Sequence, residues 1–247
     1  MSKVRIDQRV VGGELVRDEN RYGFMATIWD YDGYFRCGAV YIGGRYFLTS
    51  AHGLRDMRIG EIIVRMGSNS LKRLTFSCLV LRRVIHPLFN SQTLHNDIAI
   101  LEVDREVNYE KVGLPCIHMG EDLYKVGSMV KVLGFGKETE NSLERHSMNL
   151  KEVDLRIVAL EDSRYHRDMI GTDMFLAVNR ISGRIVDACT GDSGGPCLKS
   201  VRGKWVLVGI VSWGHGCGRD GFPGVYTDVM HFDNWVRSIC GFDGCGH

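Results

Sequence analysis

The sequence predicts an all-β protein, an antiparallel barrel or sandwich architecture. Three observations carry this: short strand-like runs recur, turn residues separate them, and long helical periodicities are rare. The 30 glycines supply the turns and bends that many short strands require. In chain order the runs are Phe47-Leu48-Thr49, Val80 to Ile85, Ile98 to Val103, Val130 to Leu133, Val153 to Val158 and Trp205 to Trp213. Each is rich in β-branched, aromatic or other apolar residues. One late segment differs. Asp233 is placed to cap a helix on which Trp235, Val236 and Ile239 fall near one face. No internal repeat or low-complexity linker interrupts the chain.

Composition narrows the function classes. The chain has 247 residues, 44% hydrophobic and 25% charged, enough for a sizeable core. A formal charge of +1 gives no general attraction to nucleic acid or to an anionic membrane. No apolar run approaches the roughly 20 residues of a membrane span. The opening Met1 to Asp7 carries no hydrophobic signal region. Eight cysteines permit disulfides, and their spacings do not repeat as C-x-x-C, which argues against zinc. Asn-x-Ser/Thr acceptors are absent, so glycosylation gives no independent sign of secretion.

The chemistry concentrates in three separated stretches. Thr190-Gly191-Asp192-Ser193-Gly194-Gly195-Pro196 leaves the Ser193 hydroxyl uncrowded between glycines. A glycine turn can also aim amide N–H groups at one point beside that hydroxyl, as a developing oxyanion requires. Serine alone is a weak nucleophile and needs a base and an orienter. His52, in Thr49-Ser50-Ala51-His52, supplies an imidazole at a strand end with small residues beside it. Asp97 opens the apolar run Ile98-Ala99-Ile100-Leu101, where a carboxylate needs partners and the His52 N–H would serve.

These segments, in the order His, Asp, Ser, resemble the chymotrypsin-type serine proteases, the trypsin-like branch in particular. The resemblance extends to Arg9-Val10-Val11-Gly12-Gly13, Ser212-Trp213-Gly214 and Pro223-Gly224-Val225-Tyr226, and so runs from about Val10 to Ile239. It implies two packed six-stranded antiparallel barrels with a short C-terminal helix. Residues 1–9 are then an activation remnant and 10–247 the peptidase domain. The first barrel is expected over about 15–112, the second over about 119–230 and the helix over about 232–240. The crossover is expected near Tyr109 to Met119. His52, Asp97 and Ser193 become the catalytic triad, and the amides of Gly191 and Ser193 the oxyanion hole.

The resemblance implies further roles. Asp187 is the pocket floor, with Ala188, Ser212, Trp213, Gly214 and Gly224 around the substrate side chain. An unpaired carboxylate there selects Arg or Lys. Ala188 in place of a serine removes a partner more useful to an ammonium than to a guanidinium, so Arg is expected over Lys. Asp192 is expected to receive the α-amino group of Val10 after cleavage at Arg9-Val10, so the uncleaved chain is a precursor.

Cys189 and Cys217 are expected to form a disulfide bracing the pocket. Cys37 lacks its usual partner, because Gly53 stands beside the histidine, and a Cys37–Cys197 bridge is expected as a substitute. Cys78, Cys116, Cys240 and Cys245 have no assigned partners; Cys116 lies near where some relatives tie the catalytic domain to an upstream light chain. Ser68 to Ser77 holds Lys72 and Arg73 and no acid, which predicts no calcium site. No cofactor is expected. The expected partners are a protein or peptide substrate with Arg or Lys before the scissile bond, an activating protease, and an upstream light chain or a protease inhibitor. The expected location is extracellular. The competing reading is a weak or inactive homologue that binds partners.

Overall fold

The computed structural model describes residues 13–107, 125–137, 141–144 and 146–241. Its first closed unit is an antiparallel barrel of β2 (Met25–Trp29), β3 (Phe35–Gly43), β4 (Tyr46–Thr49), β5 (Ile63–Met66), β6 (Phe76–Ile85) and β7 (Ala99–Val103). Their order around the barrel is β2-β3-β4-β7-β6-β5. Ile28, Val40, Leu48, Val64, Ile100 and Leu101 are wholly buried, and β2 is buried along its whole length.

The second unit contains β8 (Met129–Gly134), β9 (Lys151–Val158), β10 (Met174–Ile181), β12 (Pro196–Val201), β13 (Lys204–Trp213) and β14 (Gly224–Asp228). Neighbours pair in the order β9-β8-β12-β13-β14-β10, and β10 pairs back to β9 through Leu176↔Val158, which closes a second six-membered ring. Along β9 the burial alternates: Val153, Leu155 and Ile157 face inward while Asp154 and Arg156 are exposed. That alternation is the two-residue period of a strand with one dry face. Two short strands flank the ring. β1 (Glu14–Leu15) pairs with β9, and β11 (Arg184–Val186) pairs with β10.

All six strand-like runs fall on strands, with Ile98 alone left just outside β7, and the all-β two-barrel class is as expected. The helix, α1 (Asp233–Cys240), buries Val236 and Cys240, and Trp235 and Ile239 pack against the core. Asp233 does not cap it. Phe232 holds the N-cap position with no side-chain bond, and Asp233 is the first helical residue, spanning to Arg237 Nε at 2.5 Å. The capping carboxylate is Asp228, one short turn earlier, which accepts the Met230 N–H. The expected crossover at Tyr109 to Met119 lies outside the described residues.

The barrels meet where glycine permits close approach. Gly38 on β3 donates its N–H to the Ser193 carbonyl at 2.8 Å. A Cβ on Gly38 would stand 2.8 Å from the Gly195 nitrogen, so a side chain there would push the barrels apart.

Candidate active site

His52 begins a short 3-10 turn (His52–Leu54) three residues past the end of β4, and Asp97 lies two residues before β7. β4 and β7 are paired neighbours, with Thr49 opposite Ala99, so both groups emerge at one end of the first barrel. His52 Nδ1 lies 2.7 Å from Asp97 Oδ2, and the His52 backbone N–H donates to Oδ1 at 2.8 Å. The carboxylate is buried, while the imidazole keeps about a quarter of its surface exposed (side-chain values 0% and 26%). A buried carboxylate must be well partnered, and this one is. Ser212 Oγ donates to Oδ2 at 2.5 Å, and Thr227 Oγ1 donates to the Asp97 carbonyl at 2.9 Å. Both donors come from the second barrel. The sequence motif marks Ser212 as a pocket residue. It lines the pocket, and its buried hydroxyl also holds Asp97.

Ser193 sits on a turn fixed by backbone bonds. Asp192 N donates to Cys189 O, Gly195 N to Asp192 O, and Gly194 N to Val211 O. Gly191 has φ +98° and Gly194 φ +77°, left-handed values that favour glycine. A Cβ on Gly194 would meet Gly38 O and Thr49 Oγ1 at 2.3 Å, so this turn has no room for a side chain. Ser193 and His52 line two cavities. The first, about 260 Å³, runs to Asp187 and Tyr226. The second, about 360 Å³, is walled by Phe35, Arg36, Gly53, Thr190 and Gly191.

Asp187 lines the first cavity and is almost wholly buried. Burial pushes its carboxyl up to about 8, against the opposing pull of backbone N–H groups of Ala188, Gly218 and Gly224. Among the described residues, no Lys or Arg lines this cavity. Ala188, Ser212, Trp213, Gly214 and Gly224 all do. A Cβ on Gly224 would come within 2.6 Å of Asp187 Oδ1, and one on Gly214 would point towards Gly224 Cα at 3.9 Å. Both glycines therefore keep the slot open. Cys189 and Cys217 are disulfide-bonded beside it, with Cα atoms 5.0 Å apart.

Asp192, next to Ser193, is buried. Its Oδ1 accepts the Gly136 N–H at 2.7 Å and its Oδ2 the Cys189 N–H at 2.9 Å. Burial pushes this carboxyl up to about 6, while those two bonds and the Lys151 charge act the other way. A Cβ on Gly134 would lie 1.9 Å from Asp192 Oδ1, so the carboxylate rests on bare backbone. Lys151 is fully buried opposite Gly134 in β8–β9. Sequence reasoning misses Lys151 and these glycines. No local motif marks them, since they matter only once β8 and β9 pair. Arg9 and Val10, the expected activation site, lie outside the described residues.

The expected Cys37–Cys197 bridge is not formed. Cys37, Cys78, Cys197 and Cys240 are buried free thiols. Cys37 belongs to the core of the first barrel and its Sγ faces Gly53, where a Cβ would sit 2.8 Å away. Cys197, on β12, points into the core of the second barrel among Val130, Val132 and Val208. The two thiols thus occupy different interiors. Cys116 and Cys245 lie outside the described residues. Arg73 is ion-paired with Glu19 at 2.7 Å. Among the described residues, no helix is long and apolar enough to cross a membrane.

The family model described as Trypsin matches residues 10–236. CLIP domain-containing serine protease B4 of Anopheles gambiae is 30% identical across 95% of this chain, which spans 71% of that protein. Mouse transmembrane protease serine 7 is 34% identical across 93% of the chain, and mouse vitamin K-dependent protein C is 30% identical across 96%. The chain spans 28% and 53% of those two proteins.

Proposed function

The chain belongs to the trypsin family of serine proteases, and from that premise we propose that it is a secreted endopeptidase cleaving after Arg, and less well after Lys, once activated at Arg9-Val10. One observation carries the reading: His52, held by the buried Asp97, lines the cavity shared by Ser193 and Asp187.

In the proposed mechanism the Ser193 hydroxyl attacks the scissile carbonyl and His52 Nε2 takes its proton. Asp97 accepts the His52 Nδ1–H, which fixes the tautomer and stabilises the imidazolium. The carbonyl oxygen becomes an oxyanion held by the Gly191 and Ser193 amides, a donor pair in which each member is worth on the order of 3 kcal/mol. Collapse breaks the C–N bond, and His52 returns the proton to the departing amine. Water then attacks the acyl-enzyme by the same route and frees Ser193.

Specificity follows from Asp187. A buried carboxylate at the end of a slot without cations favours a cationic guest, whose charge offsets the cost of ionisation. Ala188 offers a donor N–H to Asp187 but no hydroxyl to a guest, which favours the broad guanidinium of Arg over an ammonium. For Asp192, the reading is that a Val10 α-amino group binds it after cleavage and stiffens the turn carrying Gly191 and Ser193. Family members act on proteins, so the proposed partners are an extracellular protein substrate and an activating trypsin-like protease.

The test is cleavage after Arg9, followed by hydrolysis of matched Arg and Lys peptide amides beside a Ser193→Ala control. Activity that needs Ser193, rises on cleavage and prefers Arg is expected. A folded, cleaved protein without Ser193-dependent turnover would favour the binding homologue.

A further inference from the structure

A second histidine–aspartate pair begins two residues before the catalytic aspartate, at His95. His95 Nδ1 lies 2.9 Å from Asp173 Oδ1, and Asp173 Oδ2 accepts the Asn96 N–H at 2.6 Å. Asp173 belongs to the second barrel, immediately before β10, and its own carbonyl accepts the Asp228 N–H at 2.9 Å. His95 and Asn96 belong to the first barrel, in the loop leading to Asp97. The carboxylate is buried, 8% exposed against 28% for the imidazole.

The loop it grips is unusual. Leu94 has φ +57° and Asn96 φ +55°, two non-glycine residues in the left-handed region within three positions. Such conformations persist when the surroundings over-determine them. Asn96 is held twice, at its N–H by Asp173 and through Nδ2 to the Leu88 carbonyl at 3.0 Å. Gly171 completes the cradle: a Cβ there would stand 2.3 Å from Asp173 Oδ1 and 2.6 Å from His95 Cε1.

We infer that Asp173, with His95, is a positioning pair that fixes the Asn96–Asp97 backbone across the barrel interface and so sets the aim of Asp97 at His52. The triad is split between barrels, so its alignment depends on bonds that cross them. Asp97 has its carboxylate and carbonyl held by Ser212 and Thr227, and Asp173 holds the peptide before it. Three second-barrel groups thus grip two consecutive first-barrel residues. Asp173 touches neither the substrate cavity nor the reacting atoms, so its effect is on geometry at the moment of proton transfer. Small misplacements there cost large factors in rate.

The inference rests on the serine protease reading, and the experiment separates the two. Wild type, Ser193→Ala, Asp173→Ala, Asp173→Asn and Gly171→Ala are each cleaved after Arg9 and assayed on an arginyl amide, with thermal midpoints measured in parallel. Asp173→Ala is expected to lose about tenfold or more in kcat with KM within about twofold, the mark of an interaction needed in the transition state. Asp173→Asn keeps an amide oxygen for the Asn96 N–H and is expected to recover most of kcat. Gly171→Ala keeps every hydrogen-bonding group but crowds the cradle, and is expected to lower kcat with KM unchanged. It carries the test if Asp173→Ala does not fold. Folded Asp173→Ala or Gly171→Ala with wild-type kcat overturns the positioning role alone. So does an Asp173→Asn variant no better than Asp173→Ala. Wild type without Ser193-dependent turnover removes both readings.

Discussion

Ser212 Oγ and His52 Nδ1 share one oxygen of Asp97, Oδ2, at 2.5 and 2.7 Å. A side chain from the second barrel therefore completes the partners of a carboxylate from the first. Ser212→Ala should leave that buried charge short of a donor and the imidazolium less well supported. Hydrogen bonds to charged groups contribute about 1.5–3 kcal/mol, so a fall in kcat/KM of about tenfold to a hundredfold is expected. Steady-state kinetics on an arginyl amide check it, and a change under twofold would show that Ser212 is dispensable.

Asp187 ties stability to pH. Its carboxyl is raised from an ordinary 3.8 to about 8 by burial, so the native state holds its proton more tightly than the unfolded chain. The stabilising contribution is full below the ordinary value and is lost as pH rises through about 8. The thermal midpoint of the ligand-free protein should therefore fall between about pH 5 and about pH 8, and fall less in Asp187→Asn. A bound guanidinium should reverse the sense by favouring the ionised form. Calorimetry at both pH values decides this; parallel curves for the two proteins would contradict it.

Gly224 is the most constrained wall of the slot, since a Cβ would come within 2.6 Å of Asp187 Oδ1. Gly224→Ala should fold and keep Ser193 reactive towards a small organophosphorus reagent. Its kcat/KM for arginyl amides should drop on the order of a hundredfold, because the side chain can no longer reach the floor. Labelling of Ser193 and amidase kinetics on one sample separate these effects.

Cys37 and Gly53 are poised for a bridge that the chain lacks. A Cβ at Gly53 lies 2.8 Å from the Cys37 sulfur, with Ser50 Oγ 3.1 Å away as the neighbour that must yield. Gly53→Cys should oxidise to a disulfide between Cys37 and the introduced thiol. A loop of this size predicts about 3 kcal/mol of added stability in the chain-entropy account. Non-reducing peptide mapping and the midpoint shift on reduction provide the check. A free thiol at both positions would refute the geometry.

What was legible in the sequence is what local pattern encodes. Ser193, His52 and Asp97 each sit in a short motif, and apolar runs mark the strands that carry two of them. Asp173 and His95 are 78 positions apart, and neither stands in a motif. Lys151 reads as an ordinary strand-end cation until β8 and β9 pair and bury it. The Cys37–Cys197 expectation failed for a related reason: β12 turns Cys197 inward, and nothing local to the sequence reveals which interior a strand faces. Asp233 misled as a cap because Asp228 already begins a continuous turn into α1, which leaves Asp233 one step inside it.

The placement of β1 sets a tether length. Leu15 lies beside Lys151, and Lys151 lies beside Gly134, the residue on which the Asp192 carboxylate rests. Two inter-strand steps of about 4.8 Å, about 10 Å in all, separate β1 from β8. A terminus created at Val10 would stand four residues ahead of Glu14 (14 − 10), a fully stretched reach of about 14 Å. If Val10 binds Asp192 as proposed, that reach covers the span with little to spare, so a few glycines inserted after Val10 should weaken the rise in activity on cleavage rather than abolish it.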